Sequence, residues 1–376
     1  MGTNNFLAEL SDGIMYQHSV LQLLKEVLCI QTTNAVVLGF FGAILLRKSL
    51  LGRQGTECID TLSAGKAVLR CASCGTAEGN EISLKQCNGC DLVRYCSDTC
   101  QELHRPEHEA KCKERAAELR DDVLFSQPES SHEGDCPICC LPVPLDPKLS
   151  TMYSCCSKVV CVGCEFANEL RQEREDLEKA CPFCRHPEPK SQKEFTKNLM
   201  KRALANDTYA LWQMGLRHYS EGDYDGAIKY LIKAAELGSV EAHADLGDCY
   251  SEGKGVEKDE VKALYYWEEA AIQGHPEARY NLAFHEWNND RDDRAVKHWI
   301  IAACLGHDES LRELKECYQD GYVSKDDFAM ALRGHYAAAA ATKSPQREFG
   351  EKMASIYEDT GSSERQPPGK VPSNRH

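Results

Sequence analysis

The sequence predicts an α-rich multidomain protein in which two small metal-stabilised fingers precede an α-helical solenoid. Two observations support this prediction. Sixteen of the 21 cysteines lie between Cys71 and Cys184, and most form pairs separated by two residues. From about Ala205 onward, alanine pairs and glycines recur with the period of a helical repeat. The chain has 376 residues with 42% hydrophobic content, which is enough for two or three domains and for a core outside the cysteine-rich region.

The amino-terminal region, residues 1–66, is expected to be helical. Its span 27–46 carries no charge and is followed by Arg47 and Lys48. Twenty uncharged residues match the thickness of a bilayer, but the strongly apolar part is shorter, so the alternatives are a single membrane anchor and a buried helix. No basic stretch of the kind that begins a secretory signal precedes it. If the segment spans a membrane, its basic flank predicts that both fingers face the cytosol.

The cysteine pairs indicate bound metal. Two residues between cysteines suit one corner of a tetrahedral zinc site, and disulfides are the alternative interpretation. The net charge of −15 argues against a nucleic-acid partner, because phosphate binding needs a basic face. Basic residues do cluster between Lys190 and Arg202, but Phe195 and Leu199 lie there at helical spacing, so residues 187–204 are expected to form a linker helix.

The first finger, residues 67–112, contains eight candidate ligands in four pairs. Eight soft or borderline ligands are enough for two complete zinc sites. The pairs are Cys71 and Cys74, Cys87 and Cys90, Cys96 and Cys100, and His108 and Cys112.

These residues resemble the MYND zinc finger, whose YCS…CQ…H…C ending the sequence shares. In that family the pairs interleave, so the resemblance implies that the first and third pairs bind one zinc ion and the second and fourth pairs bind another. A short helix from Gln101 to Cys112 places His108 and Cys112 on one face. His104 is expected beside the site, and Arg105 stands where the family usually has tryptophan. The resemblance implies docking of short, often proline-containing peptides and no catalysis.

The second finger, residues 136–186, follows a segment, 113–135, that is expected to hold a helix and a flexible linker. It contains four further cysteine pairs: Cys136 and Cys139, Cys155 and Cys156, Cys161 and Cys164, and Cys181 and Cys184. Their order and loop lengths resemble a RING finger, in which the first and third pairs share one zinc ion and the second and fourth pairs share the other. The two resemblances together imply two cross-braced fingers and four zinc ions.

The second finger departs from the RING pattern at one ligand position. Lys158 stands where a histidine is usual, and an ammonium group cannot bind zinc. The adjacent Cys155 and Cys156 are expected to form the second pair, which leaves Cys140 without a site. A degenerate finger with one zinc ion, or with a hydrogen-bonded second site, is the alternative. Sites filled by thiolates leave no open position for water, so the zinc is expected to be structural.

Some residues of the second finger resemble those with which RING fingers hold a ubiquitin-conjugating enzyme. Ile138 matches the apolar docking residue, Pro182 matches the loop proline, and Arg185 matches the cation that bridges enzyme and ubiquitin. Packing within the finger is the alternative role for Ile138 and Pro182. The family's tryptophan on the following helix is replaced by Asn168.

The repeat half covers residues 205–341. Alanine pairs recur with a glycine three residues after each pair, at Ala234-Ala235, Ala270-Ala271 and Ala302-Ala303 and at Gly238, Gly274 and Gly306. Small alanines let paired helices approach closely, and glycine permits a left-handed turn between them. The segments resemble Sel-one-like repeats of the tetratricopeptide class, with three repeats and a weaker fourth. This resemblance implies protein recognition on a concave face. The tail, residues 342–376, is rich in proline, serine and charge and is expected to be disordered.

The combined expectation is a cytoplasmic RING-type ubiquitin ligase, anchored to a membrane if residues 27–46 span it. The second finger recruits the conjugating enzyme, and the MYND finger and the repeats select protein substrates. The alternative is a non-enzymatic zinc-finger scaffold. Ile138 and Arg185 favour the ligase, whereas Lys158 and Asn168 favour the scaffold.

Overall fold

The computed structural model of the chain describes residues 69–79 and 81–359. The predicted helical region 1–66, with its uncharged span 27–46, lies outside these residues, as does the last part of the tail. Among the described helices, none combines the length and the apolar character needed to cross a bilayer.

The described chain is rich in helix and has the predicted order of two fingers followed by a solenoid. The first finger contains strands β1 (Lys85–Gln86) and β2 (Arg94–Tyr95) and begins helix α1 (Asp98–Leu124). The second finger contains a 3-10 turn (Pro147–Leu149), β3 (Ser150–Tyr153), β4 (Lys158–Cys161) and α2 (Val162–Arg174). The remaining helices are α3 (Gln192–Leu204), α4 (Thr208–Ser220), α5 (Tyr224–Glu236), α6 (Val240–Glu252), α7 (Glu260–Ile272), α8 (Pro276–Asn288), α9 (Asp292–Cys304), α10 (Asp308–Gln319), α11 (Lys325–Ala341) and α12 (Pro345–Asp359).

Each finger contains a two-stranded antiparallel sheet. In the first finger, Lys85 is opposite Tyr95. In the second, Ser150 is opposite Cys161 and Tyr153 is opposite Lys158. These short hairpins position cysteines at their ends and leave little room for a conventional core, so each finger's buried residues include its own candidate ligands.

Most of the solenoid helices begin at a side-chain cap, α9 with Arg291 before it being an exception. Asp207, Ser239 and Ser324 each accept a hydrogen bond from a backbone N–H in the first helical turn, which satisfies a donor that the helix leaves free. His275 and His307 cap their helices through Nδ1. Such polar residues before apolar periodic segments explain why the helices begin where they do.

Successive helices pack in pairs, α4 with α5, α6 with α7, α8 with α9 and α10 with α11. The repeated alanines are buried between helices, as Ala234, Ala270 and Ala302 show with 0% exposure. The glycines after them, Gly238, Gly274 and Gly306, take φ values of 89°, 87° and 96°, which is the left-handed conformation that favours glycine.

Polar contacts also join the first helices of successive repeats. The indole N–H of Trp212 donates to Asp245, the amide of Asn281 donates to Asp248, and the hydroxyl of Tyr280 donates to Glu313. The partners of each pair are 33 residues apart, which is about the length of one repeat, so each bond joins one repeat to the next.

Helix α1 is longer than the short helix expected to end at Cys112, and its carboxyl end contacts the solenoid. Buried Leu124 packs among alanines of α7 and α8. The guanidinium of Arg279 donates to the carbonyl of Leu124 at 2.7 Å and to that of Ser126 at 3.4 Å. The segment expected to be a flexible linker therefore has fixed partners, and the N–H of His132 also donates to the carbonyl of Gly274 at 3.2 Å.

The tail contains the clearest correction. Residues 342–376 were expected to be disordered, yet residues 345–359 form α12, which packs against α2 of the second finger. The polar composition of the tail suggested disorder. It could not reveal α12, because the residues that hold this helix in place, such as buried Arg347, have their partners far away in the sequence.

Candidate metal centres

The structure brings the sixteen candidate ligands together as four groups. Within each group, the ligand atoms all lie within 4.8 Å of one another. The groups are Cys71, Cys74, Cys96 and Cys100; Cys87, Cys90, His108 and Cys112; Cys136, Cys139, Cys161 and Cys164; and Cys155, Cys156, Cys181 and Cys184. Each finger therefore has the interleaved arrangement, in which alternate pairs of the chain meet.

The distances between ligand atoms fit a zinc ion. A tetrahedral ion with Zn–S bonds of about 2.3 Å has S–S edges of about 3.8 Å. The Sγ atoms of Cys87 and Cys112 are 3.7 Å apart, and those of Cys96 and Cys100 are 3.6 Å apart. In the second finger, Cys139 and Cys161 are 3.7 Å apart and Cys156 and Cys181 are 3.8 Å apart. Thiolate and imidazole are the ligands that structural zinc prefers, so the donor chemistry also fits.

In the first finger, helix α1 presents His108 and Cys112 to the second group. Ser97 caps this helix by accepting from the N–H of Cys100, which also fixes a ligand of the first group. His108 is buried, and its Nε2 lies 3.2 Å from the Sγ of Cys90. His104 is outside both groups. Its Nδ1 lies 3.0 Å from the hydroxyl of Tyr95, and its ring stacks on His108, so it supports the ligand from the side.

In the second finger, Cys155 and Cys156 both belong to the second group, with Cys155 3.3 Å from Cys184. Lys158 is outside the group, and its ammonium lies 6.0 Å from the centre of the Phe183 ring. Cys140 is likewise outside every described group.

The position that follows three of the five Cys-x2-Cys pairs has a common backbone conformation. Gly75, Cys140 and Arg185 have φ values of 75°, 55° and 60°. The N–H of each donates to the carbonyl of the first cysteine of its pair at 2.9 Å. We call these tight turns knuckles. Cys140 is therefore the residue with left-handed backbone in the first knuckle of the second finger. Arg185 is the equivalent residue in the last knuckle of that finger.

In the first group, the backbone around Cys71 favours the thiolate form of that residue. Burial raises the pKa of Cys71, but hydrogen bonds from the N–H groups of Cys74, Cys96 and Ser73 outweigh it and lower the pKa to about 6. A thiol that ionises near neutral pH is ready to bind a cation, because the thiolate is the form that ligates zinc.

The residues matched to enzyme docking lie in two knuckles. Ile138 is 42% exposed, Arg185 is exposed and Pro182 is half-buried. Asn168 has a role within the finger, since its amide donates to the carbonyl of Ala180 at 3.0 Å and joins α2 to the last knuckle. Sequence reasoning missed Gln346 and Arg347, whose side chains reach the first group of this finger from α12.

Comparison with known proteins identifies two of the modules. Residues 71–112 match the MYND finger family. Residues 208–239, 240–275 and 276–307 each match the Sel1 repeat family. Residues 136–186 lie outside these matches. The chain therefore contains a MYND finger and three Sel1 repeats, and both are protein-interaction modules.

Curated relatives share parts of the chain. A mouse protein, DAP3-binding cell death enhancer 1, is 26% identical over 36% of this chain and 34% of its own length. An F-box protein of Arabidopsis thaliana is 36% identical over 25% of this chain and 26% of its own length. The chain thus spans about a third or a quarter of the length of these relatives.

The chain is also similar to two solved structures, a Sel1 repeat protein and an antigen with an SLR fold. One from Oxalobacter formigenes is 32% identical and covers 32% of this chain and 96% of its own, with a TM-score of 0.29. A protective antigen of uropathogenic Escherichia coli is 21% identical and covers 55% of this chain and 43% of its own, with a TM-score of 0.35.

Proposed function

We propose that this protein is a zinc-dependent adaptor that acts as a RING-type ubiquitin ligase. The second finger binds a ubiquitin-conjugating enzyme, while the MYND finger and the repeats bind the protein substrate. The proposal depends above all on one observation: thiols in residues 136–186 group in cross-braced fashion, with exposed Ile138 and Arg185 in two of the knuckles.

In this proposal, four zinc ions are structural. Each would be held by one of the four groups and would fix the loops of its finger, which have little apolar core of their own. The zinc ions hold the backbone, and Ile138, Pro182 and Arg185 contact the recruited enzyme. The mouse relative's name states that it binds another protein, which agrees with protein recognition by the repeats.

The zinc content is tested by native mass spectrometry of the full chain. We expect four zinc ions, one for each group of ligands. A matched variant, Cys140→Ser, should also hold four, because Cys140 is a knuckle residue outside the groups. A wild-type count of three would support a degenerate second finger, and a count of two or fewer would contradict the interpretation of two fingers with two zinc ions each.

The ligase activity is tested by discharge of ubiquitin from a panel of conjugating enzymes. Ile138→Ala should weaken binding of the enzyme, since burial of such a side chain contributes roughly 2 kcal/mol. Arg185→Ala should slow discharge with less effect on binding. Leu103→Ala, an exposed apolar change in the first finger, and Arg174→Ala, an exposed charge change in the second, are the controls and should behave as wild type.

A non-enzymatic scaffold is the second candidate. It is favoured by Asn168, whose side chain is engaged inside the finger where RING fingers usually present a tryptophan. Failure of the wild-type chain to discharge any enzyme of the panel, while it holds four zinc ions, would establish this alternative.

We further propose a cytoplasmic location, with residues 27–46 as the segment that decides between a soluble and an anchored protein. Carbonate extraction of membranes tests it. An anchored chain stays in the membrane fraction, and a variant that begins at Gly55 is released.

A further inference from the structure

Helix α12 returns from the far end of the repeats to the amino-terminal turn of α2. The two helices meet at glycines. A Cβ atom on Gly163 would lie 2.8 Å from the Cα of Arg347, and one on Gly350 would lie 2.9 Å from the Cα of Gly163. Contacts this short leave no room for a side chain at either position, so the backbones of α2 and α12 touch directly.

Arg347 is buried in this contact, with 1% of its surface exposed. Its guanidinium donates to the carbonyls of Pro142 at 2.6 Å, Leu141 at 3.0 Å and Thr342 at 2.9 Å. It also donates to the Sγ of Cys139 at 3.3 Å. Two of these partners, Leu141 and Pro142, directly follow the first knuckle of the second finger. Arg347 therefore contacts both the candidate ligand Cys139 and the loop that follows it.

Gln346 makes a parallel contact on the other side of the same group. Its amide donates to the carbonyl of Gly163 at 3.0 Å and to the Sγ of Cys164 at 3.6 Å. Cys139 and Cys164 belong to different pairs of one group. Two side chains from α12 therefore donate to two sulfur atoms that the finger itself brings together.

The charge of Arg347 indicates what these contacts are for. A buried cation is stable only beside compensating negative charge. Carbonyl oxygens offer partial charge, whereas a zinc ion bound by four thiolates carries a net charge of about −2, which is spread over the sulfur atoms. Donors to ligating atoms orient them and lower the charge that they must bear, and loss of such donors typically weakens metal binding by roughly 10–100-fold.

We propose that α12 completes the first zinc site of the second finger, with Arg347 and Gln346 as positioning residues for Cys139 and Cys164. This inference rests on the zinc content proposed above. The finger is therefore made of two distant parts of the chain, and residues 136–186 alone hold zinc at this site weakly.

The experiment compares the full-length wild type with Arg347→Ala, Arg347→Lys and Gln346→Ala. Lys352→Ala, an exposed change on the same helix, is the control. Zinc release to an excess of chelator is followed by native mass spectrometry. Alkylation and peptide mapping identify which cysteines become reactive first.

We expect Arg347→Ala to release one zinc ion roughly 10–100-fold faster, with Cys136, Cys139, Cys161 and Cys164 alkylated first. Arg347→Lys and Gln346→Ala should show smaller effects on the same four cysteines, and Lys352→Ala should match wild type. The other three groups should keep their zinc at the wild-type rate.

Hydrogen exchange of residues 345–356 accompanies the measurement and shows whether α12 stays in place. If Arg347→Ala releases zinc from this group at the same rate as the wild type, the proposal is overturned, whether α12 remains attached or not. Faster release from this group supports it in both cases. A wild-type chain that holds no zinc at this group refutes the proposed zinc content, and so fails at a different step from the role of Arg347.

Discussion

At the scale of single residues, one buried histidine has surroundings that change its pKa. The ring of this residue, His298, has 0% exposure, and neither of its nitrogens has a hydrogen-bond partner among the described residues. The ring lies 4.7 Å from that of Phe125, the residue that follows α1. Burial, together with the nearby charges of Arg279 and Arg294, lowers the pKa of His298 to about 3.

This shift makes the repeats sensitive to acid. The unfolded state takes up a proton near pH 6.5, and the folded state resists it until about pH 3. The stabilisation is therefore complete above pH 6.5 and is lost as the pH falls towards 3. At pH 5, His298 should lower the free energy of unfolding by about 2 kcal/mol relative to pH 7.

The measurement is urea unfolding at both values of pH, followed by tryptophan fluorescence, in wild type and in His298→Leu. The drop in stability between pH 7 and pH 5 should be about 2 kcal/mol smaller in the variant. Acid also protonates the candidate zinc ligands, but this contribution to the change in unfolding free energy is the same in both proteins and cancels in the comparison. An equal drop in both proteins would show that His298 does not titrate on unfolding.

At the scale of elements, the end of α1 is fastened to the repeats by charged side chains. Arg120 pairs with Glu268 and Glu269 of α7 at 2.9 Å and 3.0 Å. Asp121 pairs with Arg294 of α9. Burial lowers the pKa of Arg279 to about 10, so this guanidinium remains charged at neutral pH while it donates to the carbonyls of the segment. The first finger is thus held on the repeats by the helix that carries three of its candidate ligands, Cys100, His108 and Cys112.

Removal of the Arg279 donors should loosen this attachment. In Arg279→Met, the carbonyls of Leu124 and Ser126 lose their partner, at a cost of about 1–3 kcal/mol. We expect faster hydrogen exchange in residues 120–134 and unchanged exchange in α4 and α5. Arg312→Met, which removes an exposed arginine paired with Glu309, is the control. Slow exchange in residues 120–134 of Arg279→Met would mean that packing of Leu124 is sufficient.

The whole molecule consists of parts with two sources of stability. The repeats have apolar clusters of their own, whereas the buried residues of the fingers include their candidate zinc ligands. All four tryptophans lie in the repeats, at positions 212, 267, 287 and 299, so their fluorescence reports on that part alone.

Chelation of zinc at neutral pH should therefore unfold the fingers selectively. We expect the cysteines of the four groups to become reactive to a thiol reagent while tryptophan emission and most of the far-ultraviolet helix signal remain. Addition of zinc should reverse the change. A large red shift of tryptophan emission on chelation would mean that the repeats depend on the fingers for their fold.

The sequence predicted well those features that depend on local spacing. Alanine pairs and glycines such as Gly274 revealed the repeats. The spacing of the cysteines marked candidate pairs, whereas the way in which the pairs interleave followed only from the resemblance to known fingers. Contacts between distant segments left no such pattern. In the sequence, Arg347 is one charge in a polar tail and the segment after Leu124 resembles a linker. Their partners are far away in the chain: Ser126 lies 153 residues from Arg279, and Cys139 lies 208 residues from Arg347.

The separation of Cys139 and Arg347 along the chain also determines the order in which parts of the protein assemble during synthesis. The arginine is added to the chain 208 residues after the cysteine. A ribosome adds about 5–20 residues per second, so the second finger emerges roughly 10–40 s before the helix that completes its first group. The first finger, whose eight ligands all lie within residues 71–112, has no such delay. Assembly therefore ends where α12 meets α2, and a chain that is cut short by premature termination lacks this last step even when every cysteine is present.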